Sequence, residues 1–267
     1  MNDIQLLYTV GCSFTRMINR NKVNGEWTDL VPVHQQWPHL LGDKLGVPTI
    51  NDGFWGSSNQ RSFRRLKTFL ETKSVPSENV LVLAQMTYPA RFEMENSGIP
   101  VQDYTWTACD YQEDHIRLNP GWWQPDVKSF EFEHLVENHP KLLGAVCLPR
   151  DKKYSEQIKD GLIKVQGKVM RYSREQEDLD ELTYICALQA LMDAYGVNGH
   201  IIFGDKSYPA IRRYIQQNFN VLDSLSIKQI TGENNKLDDF HPDIEGNKVV
   251  SEEIYHNLTK PPNDQDL

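Results

Sequence analysis

The sequence predicts an α/β protein: a three-layer α/β/α sandwich around a mostly parallel sheet, with an inserted lid. Three observations carry this. Short apolar, β-branched runs alternate with segments of helical spacing, the pattern of strands joined by crossover helices. The run Val80-Leu81-Val82-Leu83-Ala84 is apolar throughout, as a strand covered on both faces requires. The interruption from about residue 94 to 172 has aromatic and proline-rich pieces but no sustained period, too long for an ordinary connection.

Ile4 to Val10 is a strand running into a turn at Gly11, and Trp37, Leu40, Leu41 and Leu45 recur at helical spacing before a stop at Gly46. Val47 to Asn51 is a second brief strand. It leads into the block Asn51-Asp52-Gly53-Phe54-Trp55-Gly56-Ser57-Ser58-Asn59 and a basic helical stretch from Arg61 to Glu71, whose Arg61, Arg64, Arg65 and Lys67 read as a solvated face. Val80 to Ala84 is the third strand, followed by Gln85-Met86-Thr87-Tyr88-Pro89. Ser173, with Gln176 three residues on, opens a helix to Tyr195 whose apolar positions are Leu179, Leu182, Ile185, Cys186, Leu188, Leu191 and Met192. His200 to Phe203 is a strand, Pro209 to Phe219 has helical spacing, and Val221 to Ile230 is weakly strand-like or irregular. A last helix runs from about Pro242 to Leu258, with Ile244, Val249, Val250, Ile254 and Leu258 on its face, and 260–267 reads as a frayed tail. The whole chain, 1–267, is expected to form one domain, with 94–172 as an insertion or lid.

Composition narrows the function. With 267 residues, 39% hydrophobic and 24% charged, the chain can bury a sizeable core. A net charge of -9 argues against a nucleic-acid partner, which needs a basic surface. No apolar run approaches the ~20 residues that span a bilayer, and the start carries Asp3 and no basic segment of a signal peptide, so neither membrane nor export is expected and a cytoplasmic setting is. Cys12, Cys109, Cys147 and Cys186 lack the C-x-x-C spacing of zinc or redox sites, and reduced thiols are expected. His34, His39, His115, His134 and His139 show no i, i+4 pair, and Gly53-Phe54-Trp55-Gly56 lacks the Lys-Ser/Thr of a phosphate-binding loop. No metal or cofactor is required.

In a parallel sheet, functional residues gather where strand C-termini meet their loops. Three loops qualify: the first holds Ser13, the second Gly53 and Gly56, and the third Gln85 and Thr87. Ser13, in Gly11-Cys12-Ser13-Phe14-Thr15, taken singly reads as a helix cap. Near the other end, Asp238-Asp239-Phe240-His241-Pro242 places an aspartate three residues before a histidine. An imidazole can take a serine proton while a carboxylate holds its tautomer. No Gly-x-Ser-x-Gly elbow is present, and Cys12 is a poor alternative nucleophile because it alternates with Ser13 around the turn.

Together these blocks resemble the SGNH, or GDSL-type, hydrolase superfamily. In that family a serine near the N-terminus works with an Asp-x-x-His pair near the C-terminus. Its Gly-Asp-Ser block corresponds to Gly11-Cys12-Ser13, with Cys12 where the family has Asp; its Asn-to-Gly block resembles Asn51 leading to Gly56; its Asp-x-x-His maps onto Asp238 and His241. The third block departs: the family has Gly-x-Asn-Asp, and this chain has Ala84-Gln85-Met86-Thr87. The resemblance implies an SGNH/flavodoxin-like fold and an esterase or deacetylase acting on a small acyl ester, such as an O-acetyl group on a glycan. It further implies Ser13 as nucleophile, Asp238 and His241 as its partners, and an oxyanion hole at Gly56 with Thr87, or Gln85 in a shifted register. Gly-Cys-Ser-Phe-Thr, Asn-x-Gly-x-x-Gly-x-Ser-Asn and Thr87, Arg91 and Glu93 look most like SGNH-type proteins of tailed bacteriophages. A second reading stays open: a phage virion or assembly protein that keeps the fold for binding.

Overall fold

A computed structural model of the chain describes residues 3–16, 29–54, 57–87, 92–95, 115–118, 174–204, 214–215, 217–222, 226–232, 235–237 and 241–260. Strand β1 (Leu6–Val10) is central in a parallel sheet with β2 (Thr49–Asn51), β3 (Val80–Met86) and β6 (Asn198–Phe203), in the order β2-β1-β3-β6. Between them in sequence, β4 (Phe92–Glu95) and β5 (His115–Leu118) form a separate antiparallel pair, with Phe92 opposite Leu118. The helices are α1 (Trp37–Leu45), α2 (Asn59–Thr72), α3 (Arg174–Tyr195), α4 (Ile227–Thr231) and α5 (Ile244–Thr259).

Side chains alternate across a strand, and this sheet buries both faces. Leu7, Leu81, Leu83 and Ile202 pack with Trp37 and Leu41 of α1, Ile227 of α4, and Val250 and Ile254 of α5. Tyr8, Val10, Val82, Ala84, Ile201 and Phe203 pack with Leu66 and Leu70 of α2 and with Ile185, Leu188 and Met192 of α3. These two cores make the three layers that the continuous apolar strands predict. β2, at the edge, has three residues and leaves Ile50 exposed; short edges limit pairing with other chains.

The structure corrects several local expectations. β4 and β5 lie where no regular element is expected, because four-residue strands are shorter than the window in which a period shows. The third strand runs past Ala84 to Met86, with Gln85 opposite Ile202 and Met86 opposite Phe203, so Gln85 is a strand residue. Within 221–230, Ser226 and Gln229 form a capping box that starts the helix Ile227–Thr231. Leu179 and Cys186 are exposed: at ~100° per residue they stand roughly 120° and 100° around α3 from Ile185, beyond the strip that meets the sheet. Ile244 and Val249 are exposed on α5 for the same reason. Arg61 is buried, its Nη1 donating to the Asp52 carbonyl at 2.8 Å, and Arg65 holds the Asp52 carboxylate through two hydrogen bonds of 2.9 Å, so these two arginines turn inward while Lys67 stays exposed as expected. Nearly all of 94–172, and 261–267, lie outside the described residues.

Tyr8, fully buried and stacked on Phe69 with ring centroids 3.9 Å apart, donates its hydroxyl to Asp52 at 2.9 Å. Burial, and then the Asp52 charge, hold its phenol well above the usual value of 10.0. The unfolded chain therefore gives up this proton first as pH rises, so the stability Tyr8 contributes is full below about pH 10 and declines above it. Tyr8→Phe is expected to cost about 1 kcal/mol at neutral pH. The gap to wild type in urea midpoints should close above about pH 10; a gap that stays constant well into that alkaline range contradicts this.

Candidate active site

Ser13 and His241, 228 residues apart in sequence, meet at the C-terminal edge of the sheet: the Ser13 Oγ lies 2.6 Å from His241 Nε2. Ser13 is 5% exposed and His241 half-buried. When the imidazole is neutral and carries its proton on Nδ1, Nε2 accepts from the hydroxyl. The Phe14 ring lies against the imidazole, with centroids 4.7 Å apart and planes tilted by 33°.

The turn that presents Ser13 is held by side chains from three other segments. Gln85, fully buried, accepts through Oε1 from the Cys12 N–H at 2.8 Å and the Thr15 hydroxyl at 3.0 Å, while its Nε2 donates to the Met86 carbonyl. Asn51 donates to the Thr15 carbonyl and to Gln36 Oε1, both at 3.2 Å, and accepts from the Gly53 N–H at 3.0 Å and the Thr9 hydroxyl at 3.1 Å. Trp37 donates its indole N–H to the Phe14 carbonyl at 2.8 Å. Gly11 permits this closeness: a Cβ there would lie 2.5 Å from Thr15 Oγ1 and 2.6 Å from Gln85. Cys12 points into the apolar core at 1% exposure, in keeping with its alternation against Ser13.

The other anticipated residues divide. Gln85, expected as an alternative oxyanion donor, instead anchors the Ser13 turn through its carbonyl oxygen, and its amide N–H is engaged by Met86. The extension of β3 by two residues turns it inward. Thr87, buried at 7%, has its backbone clamped by the Asn59 side chain, which accepts from Thr87 N at 2.9 Å and donates to Thr87 O at 3.2 Å. These two bonds engage the Thr87 backbone N–H and carbonyl. Asp238 and Gly56 lie outside the described residues. The segment around His241 is tied down on both sides. Leu237 N–H donates to the His241 carbonyl at 2.8 Å, Asp243 N–H to the Asn235 carbonyl at 3.2 Å, and Asp243 caps α5 by accepting from Gly246 N–H at 2.7 Å.

Three groups hold backbone near the site in ways that no sequence pattern shows: Asn59, Trp37, and Asn247, whose Oδ1 accepts from the Trp37 N–H at 2.8 Å. Asn59 directly follows the Ser58 cap of α2, but its contact with Thr87, like those of the other two, depends on packing between distant elements. Among the described residues no group of three or more His, Cys, Asp and Glu can hold a metal ion, and no helix is long and apolar enough to cross a membrane.

The fold and site thus define a three-layer α/β/α protein with a serine hydrogen-bonded to a histidine where the parallel strands end. No protein-family model matches the chain, and no curated protein does. Among solved structures it is similar to a lipolytic protein of the G-D-S-L family from Veillonella parvula, at 10% identity and TM-score 0.46, covering 96% of this chain and 100% of that one. It is also similar to the psychrotrophic esterase EstA from Pseudoalteromonas, at 13% identity and TM-score 0.46 over 96% and 97% of the two chains. A third is Axe2, an acetyl-xylooligosaccharide esterase from Geobacillus, at 11% identity and TM-score 0.39 over 98% of each.

Proposed function

We propose that the chain is a serine esterase of the SGNH type acting on a small acyl ester, with an O-acetyl group on a glycan as the substrate class the sequence blocks suggest. The observation that carries this is the 2.6 Å contact between Ser13 Oγ and His241 Nε2. In the proposed reaction the Ser13 oxygen bonds to the ester carbonyl carbon as His241 Nε2 takes its proton. The alcohol then leaves with that proton, and water, deprotonated by the same nitrogen, releases the acid and restores Ser13. Asp238 is assigned to hold the His241 ring. The oxyanion is assigned to the N–H groups of Ser13 and Gly56 and the Thr87 hydroxyl. Among the described residues the Ser13 N–H donates to no other group, which supports its part in this.

One observation favours a second reading, a binding protein of a virion or its assembly. The family's Asn after the third strand is missing, and the nearby Gln85 amide is enclosed; losing one oxyanion donor costs about a hundredfold to a thousandfold in rate. The phage-type resemblance of the Ser13 and Gly56 blocks belongs with either reading. Hydrolysis of p-nitrophenyl acetate and butyrate, and acetate release from an acetylated xylan oligosaccharide, decide between them. The enzyme reading expects turnover that falls with acyl length and vanishes in Ser13→Ala. Equal rates for wild type and Ser13→Ala on every ester overturn it.

A further inference from the structure

Asn247 lies in the first turn of α5 at 5% exposure, and all of its amide is engaged. Its Oδ1 accepts from the backbone N–H of Trp37 at 2.8 Å, and its Nδ2 donates to the carbonyls of Pro242 at 3.1 Å and Asp243 at 2.7 Å. The amide orientation is determined by its surroundings: reversed, it would set N–H against N–H and oxygen against two carbonyls. The N–H it takes is one of the first in α1, which has no side-chain cap at Gln36. Trp37, fully buried, then donates its indole N–H to the Phe14 carbonyl at 2.8 Å, and Phe14 lies against the His241 ring.

These contacts close a ring. It runs from Ser13 and Phe14 through the Trp37 indole and N–H to Asn247, on to Pro242 and Asp243, and back through His241 to Ser13. The two partners of the 2.6 Å contact sit on segments from opposite ends of the chain, and this is a buried polar route that fixes one against the other. We propose that Asn247 and Trp37 are positioning residues that set the distance between Ser13 and His241. The kinetic part rests on the esterase reading above; the geometric part does not. Displacing a reacting group by about 1 Å can cost on the order of a hundredfold in rate. A buried amide that also satisfies a helix N–H has a structural use as well, so the test needs a readout that stability alone does not move.

Asn247→Asp keeps the shape but places oxygen against the Pro242 and Asp243 carbonyls; Trp37→Phe keeps an aromatic ring and removes the donor to Phe14. Both are compared with wild type and Ser13→Ala in p-nitrophenyl acetate hydrolysis, well below each variant's melting temperature, and in the 15N resonances of the His241 ring. Folded Asn247→Asp and Trp37→Phe are expected to lose about tenfold to a hundredfold in kcat with KM within about twofold. In wild type, Ser13→Ala is expected to move the His241 Nε2 resonance; in either variant background the same substitution should move it much less, the contact being already broken. Folded variants with wild-type kcat and an undiminished Ser13→Ala response overturn the proposal. If Asn247→Asp does not fold, Trp37→Phe decides by the same criteria. If wild type shows no Ser13-dependent hydrolysis, the esterase reading fails, and the resonance response alone decides the positioning role.

Discussion

Ser13→Ala is expected to lower kcat/KM for p-nitrophenyl acetate by about ten-thousandfold or more, and His241→Ala by a similar factor. The reason is the geometry: the hydroxyl is 2.6 Å from the nitrogen proposed to take its proton, and neither group does this work without the other. The double substitution should therefore fall little below either single one, since residues that act as a unit are not additive. Stability should change little in Ser13→Ala, because a small hydroxyl is lost from a turn whose backbone remains held by Gln85, Asn51 and Trp37. A serine-directed phosphonate should label wild type at Ser13 and leave Ser13→Ala unlabelled, as read by intact mass. A double variant whose loss is the product of the two single losses would remove His241 as the base for Ser13, and labelling elsewhere would remove Ser13 as the nucleophile.

The largest expected stability effect is at Gln85. Replacement by Leu leaves the Cys12 N–H and the Thr15 hydroxyl without the oxygen they share, in a place from which water is excluded. Each buried group stranded in this way costs about 1–3 kcal/mol, so with two of them Gln85→Leu should lose about 2–6 kcal/mol. The measurement is urea unfolding, where the midpoint should drop with the slope unchanged. If Ser13 is the nucleophile as proposed, ester hydrolysis should fall as well, since the same oxygen holds the residue before it. Gln85→Glu separates the roles: a carboxylate oxygen can still accept from Cys12 and Thr15, but it faces the Met86 carbonyl with no proton to donate unless it is protonated. Its stability should therefore recover as pH is lowered. A Gln85→Leu midpoint equal to wild type would contradict the anchoring role.

Much of the sheet was legible because its strands declare themselves locally. Val80 to Ala84 is apolar at every position since both faces are covered, and Gly46, with φ of 70°, ends α1 in the left-handed conformation that glycine adopts at little cost. Ser13 and His241 are marked as partners only through the resemblance of their two blocks to a known family, since Ser13 taken singly reads as a helix cap; their 2.6 Å contact is set by tertiary structure. Less was legible where burial depends on a neighbour. Leu179 and Val249 carry the same apolar side chains as Leu188 and Val250, yet only the latter pair meets the sheet. Arg61 reads as a solvent-facing cation until the Asp52 carbonyl is brought to it.

The order of strands and helices, and the two ends of the chain that supply Ser13 and His241, are written in local chemistry: chain stiffness, apolar runs, caps and turns act within a few residues. Packing between distant elements is what makes Gln85 an anchor of the Ser13 turn rather than a group open to solvent. It is also what joins the Ser13 turn to the His241 segment through Asn247 and Trp37. A buried amide takes its role from the donors and acceptors packed around it, and those come from residues 73 and 210 positions away.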